Sequence, residues 1–393
     1  MRKQKPIAVI VIPTYNEAKT IGKMIDYLFK RIFPSIRGWQ MKLLIVDDTS
    51  PDGTYKIVQR LQKKYKDLYL YLNPKKMGIG YAYVVGFKYA MEKLKAEVVI
   101  EFDGDFQHPP ETIPLLLKEI ESGADYVLGS RKIPGGSVPR NWGLKRKLFT
   151  YLGGFLARFI LFFPFKPFWQ ITDPTTGLKV SRVKGFVDRL NMDNLYSYKF
   201  GYKLQFLYQM VKLGAKVKEI PLQFQLREAG SSKIAPDTAK DIFRTVILCR
   251  WHDPLTQKFL KFGTVGFIGY LVNAIGLWYL ARLGWAEWLV WFLSTELAII
   301  SNFTWNNFWT FKEEKFTHLS KIIRKFFQFN LTSAGALLIQ SVVGSSLTLL
   351  LGQQYRQFIL PFVIVFLVLP YNWLMYNKVI WKRRVNNKVP SQQ

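Results

Sequence analysis

The sequence predicts a doubly wound α/β domain followed by an all-α transmembrane domain of four helices. Three observations carry that prediction. Up to about residue 251, short β-branched apolar runs alternate with segments of helical period. Polar motifs recur just after those runs, where an open α/β sheet binds its ligands. Beyond residue 259 long apolar stretches dominate, with Trp, Phe and Tyr crowded at their ends. The near-zero mean hydropathy therefore pools a soluble half with a membrane half.

Residues 7–13 are a short apolar run suited to a buried parallel strand, and 20–33 repeat apolar residues at helical spacing. A strand at 41–46, a helix at 54–65 and a strand at 68–72 continue the alternation. A helix at 81–94, a strand at 98–102, a helix at 111–121 and a strand at 126–129 follow. The polar motifs sit at the strand ends: Pro13-Thr14-Tyr15-Asn16-Glu17, Asp47-Asp48-Thr49-Ser50-Pro51-Asp52-Gly53-Thr54, Asp103-Gly104-Asp105-Phe106-Gln107-His108 and Ser130-Arg131-Lys132. In such a sheet these clusters converge on one crevice.

The formal charge of +29 is compatible with nucleic acid, an anionic membrane or phosphate-rich substrates. No nucleic-acid-binding motif accompanies it, and the apolar stretches next door favour membrane and phosphates, with no nucleic acid. The single cysteine, Cys249, excludes an internal disulfide, and three scattered histidines argue against a His-based metal site. The opening residues lead straight into a strand-like run without a signal-peptide pattern, so the first domain is expected in the cytoplasm.

Asp103 and Asp105 flank one residue after a buried strand and can hold a hard divalent cation, with Gln107 adding a neutral oxygen. The competing explanation is an ordinary Asp/Gly turn. Asp47 and Asp48 can accept hydrogen bonds from a base or ribose, or else cap the next helix. Pro13, Tyr15 and Glu17 suit one wall of a base pocket, and the loop 75–80 suits a phosphate. Arg131, Arg227 and Lys233, beside Gly/Ser-rich turns, are the cations best placed to grip phosphate. The run Arg140, Lys145, Arg146 and Lys147 equally fits a lipid-facing helix surface.

The ordered motifs PTYNE, VDDTSPDGT, DGDFQH, GSR, NWGLKRK, DPTTGLK and REAGSSK resemble family 2 glycosyltransferases, specifically the dolichyl-phosphate mannose synthases, over residues 6–235. Gly104 stands where many relatives have Ala, and Lys179 where Arg is usual. The resemblance implies a GT-A variant of the nucleotide-binding fold and inversion at the anomeric carbon. It implies that Pro13, Tyr15, Glu17, Val46 and Asp48 hold the nucleoside and that Asp103 and Gly104 lie along the nucleotide sugar. Asp105 and Gln107, with Asp103, would bind Mg2+ or Mn2+, and Arg131, Arg227 and Lys233 would handle phosphate, making Asp105 and these cations the catalytic set. The implied partners are GDP-mannose, dolichyl or polyprenyl phosphate, and the bilayer. UDP-glucose as donor, or a non-enzymatic carrier of lipid-linked sugar, are the alternatives.

The apolar stretches 259–281, 287–309, 326–351 and 358–380 are each near the ~20 residues that cross a bilayer. Asn273, Glu296, Asn302 and Asn306 are expected to face a bundle interior. Lys/Arg-rich segments at 312–325 and 378–388 place the middle loop and both termini in the cytoplasm, the chain being a multi-pass membrane protein. KFGTVGFIGY and SNFTWNNFWTF resemble a GtrA-type membrane domain, which implies either an anchor or a part in moving lipid-linked sugar. The expected boundaries are a catalytic domain at 1–235, an amphipathic interface segment at 236–256 and a membrane domain at 257–393. Residues 142–168 are a second candidate for lying on the membrane surface.

Overall fold

The structure, a computed structural model, describes residues 5–226 and 237–382. It divides into two compact units, Met1–Trp251 and His252–Gln393.

The first unit is built on a seven-stranded sheet of β1 (Ile7–Thr14), β2 (Gln40–Asp47), β3 (Leu68–Leu72), β4 (Val98–Glu101), β5 (Tyr126–Ser130), β6 (Lys179–Arg182) and β7 (Val217–Pro221), in the order β3-β2-β1-β4-β6-β5-β7. β1 is buried on both faces, which is why it reads as an unbroken apolar run. Ala8, Ile10 and Ile12 pack against Ile21, Met24 and Ile25 on one side, while Val9 and Val11 meet Ala82, Tyr83 and Phe87 on the other. The alternation is the two-residue period of a strand.

The sheet is mixed rather than wholly parallel. β6 runs antiparallel between β4 and β5. No alternating run announces β6, because its four residues include the buried Lys179 and its pairing is set by distant strands. β7 pairs in parallel with β5 at the sheet edge.

A third apolar cluster joins Tyr126 and Leu128 to Ala157, Leu161, Leu204 and Val246. The helices Gly154–Phe162 and Thr238–Trp251 thus each bury one face in this unit. Their other faces expose large apolar side chains, including Phe155, Phe159, Phe243 and Trp251.

The second unit is helical. Pro254–Leu280 starts at Asp253, whose carboxylate accepts from the N–H of Leu255 and Thr256, with Pro254 in the first turn. Glu287–Trp305, Leu319–Leu351 and a run of short α and π segments from Arg356 to Ile380 follow. Four spans were expected. Among the described residues two helices, Pro254–Leu283 and Pro361–Ile380, are long and apolar enough to cross a membrane. The other two expected spans are also helical, within Glu287–Trp305 and Leu319–Leu351, and Ser294, Glu296 and Asn302 interrupt the first.

Inside this unit Asn302 lies against Gly269, where a Cβ would sit 2.2 Å from its Oδ1, and Asn306 is buried. Asn307 ties an aromatic knot. Its Oδ1 accepts from the Phe316 N–H at 2.9 Å and from Trp381 Nε1 at 3.1 Å, and Trp381 stacks on Phe311.

Candidate functional site

The loops after β1 and β2 leave the sheet side by side, because Pro13 pairs with Val46 and Thr14 with Asp47. Asp47 is fully buried and accepts from Thr14 Oγ1, Ser50 N and Ser50 Oγ, each at 2.7 Å. It fastens the two loops together and is not turned toward a ligand. Asp52 accepts from the N–H and Oγ1 of Thr54, the first residue of the helix Thr54–Gln62. Asp48 accepts from Asn73 Nδ2 at 2.7 Å and Met77 N at 3.2 Å, which anchors the 73–77 loop beside the expected nucleoside residues. The Lys76 ammonium lies 4.1 Å over the Tyr15 ring. Gly78, at φ +99°, leaves no room for a side chain, since a Cβ would fall 2.6 Å from the Tyr198 carbonyl.

Three of the strand-end loops hold a non-glycine residue in the left-handed region: Asn16 at φ 55°, Thr49 at 51° and Phe106 at 61°. Such residues cost of order 1–3 kcal/mol each and gather at binding sites. The Asp103–His108 loop adjoins the end of β1, with a Cβ on Gly104 reaching 3.2 Å from Ile12 Cγ2.

Asp103 is 30% exposed, whereas Asp105 is buried and accepts from the Gln107 N–H at 3.0 Å. Gln107 donates its amide toward the Gln225 carbonyl at 3.4 Å, so its own carbonyl oxygen points elsewhere. Among the described residues no three His, Cys, Asp or Glu side chains converge as a metal cage. Two carboxylates and an amide oxygen suit a hard divalent cation that takes its remaining ligands from substrate phosphates and water. The residues present therefore fit such an ion.

His108 is 1% exposed, and its Nδ1 lies 3.4 Å from Asp103 Oδ2. Neither ring nitrogen makes a hydrogen bond with the described residues. Burial holds its pKa down at about 3, with Asp105 pulling up and the charges of Lys203 and Arg131 pushing down. The ring is neutral at physiological pH.

Arg131 is tied into a frame of acids. Its Nε and a terminal nitrogen donate to the two oxygens of Asp173 at 2.6 and 2.7 Å, and the same terminal nitrogen reaches Thr175 Oγ1 at 3.1 Å. Glu219 in turn accepts from the N–H groups of Thr172 and Asp173 at 2.8 and 2.9 Å and from Thr172 Oγ1 at 2.6 Å. Burial would raise the Asp173 pKa, but the Arg131 charge and hydrogen bonds outweigh it and hold the carboxyl below its usual range. Lys132 donates to the Thr150 carbonyl at 2.8 Å, and burial lowers its pKa to about 8. Phe224 joins the two corners, with the Arg131 guanidinium 5.5 Å over its ring and the His108 ring 5.2 Å away.

The structure thus brings Pro13, Val46 and Asp48 together at two adjacent strand ends, and sets His108, the last residue of the Asp103–His108 loop, and Arg131 against Phe224, with Gln107 reaching the Gln225 carbonyl. Arg227 and Lys233 lie outside the described residues. Sequence reasoning assigned nothing to Asp173, Glu219, His108 or Lys203. Asp173 was legible as part of DPTTG, and His108 as the end of DGDFQH; Glu219 and Lys203 carry no local signal.

Residues 9–186 match the family model "Glycosyl transferase family 2", and residues 261–381 match "GtrA/DPMS, transmembrane domain". A dolichol-phosphate mannosyltransferase from Pyrococcus furiosus is 31% identical over 335 residues, 85% of this chain and 88% of its own. An undecaprenyl-phosphate mannosyltransferase from Micrococcus luteus is 30% identical over 62% of this chain and 95% of its own. A mannosyltransferase from Pyrobaculum calidifontis, solved with GDP-Man and Mn2+, is 17% identical over 78% of this chain and 88% of its own, with a TM-score of 0.40. That likeness is too distant to carry an assignment.

Proposed function

Because the chain belongs to glycosyl transferase family 2 and carries a GtrA/DPMS transmembrane domain, we propose that it transfers mannose from GDP-mannose to dolichyl or another polyprenyl phosphate, inverting the anomeric carbon. The observation that supports this best is that the Asp103–His108 loop, through the His108 ring, and Arg131 both flank Phe224, one side suited to a cation and the other to phosphate.

In this reading Pro13, Tyr15, Glu17, Val46 and Asp48 hold the nucleoside, with Lys76 over Tyr15 closing one side. Asp103 and Gly104 lie along the sugar. Mg2+ or Mn2+ would be held by Asp105, Gln107 and Asp103, and would offset charge on the departing diphosphate. A phosphate oxygen of the acceptor forms the new bond to the anomeric carbon while the bond to the diphosphate breaks, its electron pair leaving with GDP. The acceptor is already ionised near neutral pH, so no side chain need remove a proton. Arg131, with Arg227 and Lys233, offsets the repulsion between two anionic substrates. The frame of Asp173 and Glu219 holds Arg131 in place without mobile reorganisation.

The domain boundaries that go with this reading are 1–235, 236–256 and 257–393, with the catalytic domain and both termini cytoplasmic by the distribution of Lys and Arg. The exposed apolar faces of Gly154–Phe162 and Thr238–Trp251 suit docking on the membrane that holds the acceptor.

The test is sugar transfer by the full-length protein in detergent with Mg2+ or Mn2+, polyprenyl phosphate, and GDP-mannose or UDP-glucose in parallel. Label reaching lipid from GDP-mannose is the expected result. Transfer from UDP-glucose alone moves the donor assignment, and no transfer by folded protein favours a carrier. Asp105→Ala should lower turnover by at least about 10²–10³-fold with an unchanged melting temperature; retained turnover would remove Asp105 from the metal site.

A further inference from the structure

Lys203 stands in the first turn of the helix Tyr202–Lys212 and is 4% exposed. Its ammonium makes no hydrogen bond or ion pair with the described residues. The faces of Phe200 and Tyr202 lie 5.2 and 6.0 Å from it. Two independent costs fall on this position. A buried ammonium without a partner loses its hydration, and a cation near a helix N-terminus opposes the macrodipole. Both costs are relieved by an anion.

The space in front of the ammonium belongs to the donor corner. A Cβ on Gly177 would lie 2.9 Å from Lys203 Nζ, 3.0 Å from Asp103 Oδ2 and 2.8 Å from His108 Cε1. Glycine keeps open the point where these three side chains meet. Lys179, whose ammonium donates to the Lys203 carbonyl at 3.3 Å, already has Glu101 at 3.9 Å as its acid. Lys203 has no such neighbour within ion-pair distance among the described residues. The anions that the proposed reaction brings to this corner are phosphates, and a lysine offers them a mobile point charge with three donors.

We propose that Lys203 contacts substrate directly, its ammonium taking a phosphate oxygen beside Asp103; this rests on the transferase reading above. The phosphate belongs either to the nucleotide sugar or to the lipid acceptor, and the experiment separates the two.

Lys203→Met keeps the side chain's length and removes its charge, and Lys203→Arg keeps the charge. Both are made in the full-length protein and compared with wild type by melting temperature, by titration with GDP and Mn2+, and by kinetics with each substrate varied. Lys203→Met should melt with the wild type and lose at least about tenfold in kcat/KM, with part recovered by Lys203→Arg. Weaker GDP binding assigns the phosphate to the donor. Unchanged GDP binding with a raised KM for polyprenyl phosphate assigns it to the acceptor.

A Lys203→Met enzyme within about twofold of wild type in every constant overturns the proposal. So does an equal loss in both variants accompanied by a lowered melting temperature, which would make Lys203 a packing residue. A wild type that transfers no sugar overturns the transferase reading instead, and the GDP titration then decides Lys203 alone.

Discussion

Two corners on either side of Phe224 treat charge in opposite ways. Around Arg131 the charges are paired: a bidentate contact to Asp173, and Glu219 holding the backbone that presents that acid. Around Asp103 polar groups wait without partners, with both His108 ring nitrogens unbonded and the Lys203 ammonium unpaired among the described residues. Buried polar groups are normally satisfied, so the two corners differ in how far the described residues alone pair their polar groups, and the proposed function has substrate pair the rest.

The comparison breaks most violently at Asp173. Asp173→Ala leaves a 10%-exposed guanidinium without its acid, and breaking such a buried pair costs roughly 3–5 kcal/mol, read as a lowered denaturant midpoint. Replacing both partners, Arg131→Met with Asp173→Leu, should recover most of that stability while activity stays lost. If activity returned with stability, Arg131 would be structural only. The same pair gives the pH dependence its sign. Asp173 is held below the ordinary carboxyl value of 3.8, so its contribution is complete above that value and is lost as pH falls through the depressed folded pKa. Melting temperature should therefore decline below about pH 4 in wild type.

Gly177→Ala attacks the open corner. The added methyl meets Asp103, His108 and Lys203 within 3.0 Å, so kcat/KM should fall by about tenfold with little change in melting temperature. A large stability loss without a selective effect on kcat/KM would mean that this corner too is a packing site. Gly104→Ala is the smallest change. The methyl is 3.2 Å from Ile12 Cγ2, and the lower entropy of the unfolded alanine chain offsets that crowding, so stability should move by less than about 1 kcal/mol. Turnover should stay near wild type. A large loss would show that the loop cannot shift by a few tenths of an ångström.

Much of the first unit was legible in the sequence. β1 and β2 are continuous buried strands, and their pairing sets Pro13 beside Val46, so a local apolar pattern was enough to bring two motifs together. Asp103 and Asp105 were legible as a candidate pair because they flank one residue just after the buried strand β4. Asp47 was less so. Its neighbour Asp48 has the same chemistry, and only the hydrogen bonds from Thr14 and Ser50 assign Asp47 to holding the loops. In the second unit helices were legible from apolar runs, and two of them, among the described residues, are long and apolar enough to cross a membrane.

The sequence by itself determined the α/β order, the strand-end motifs and the change to an apolar, helical second half, because each is written in periodicity over a few turns or strands. Only the tertiary structure decided that β6 enters the sheet antiparallel, that Asp173 clamps Arg131 across 42 positions, and that Lys203 faces Asp103 past Gly177. Those are meetings of side chains far apart in the chain. Their energy depends on burial and distance, and neither exists until the sheet has closed around them.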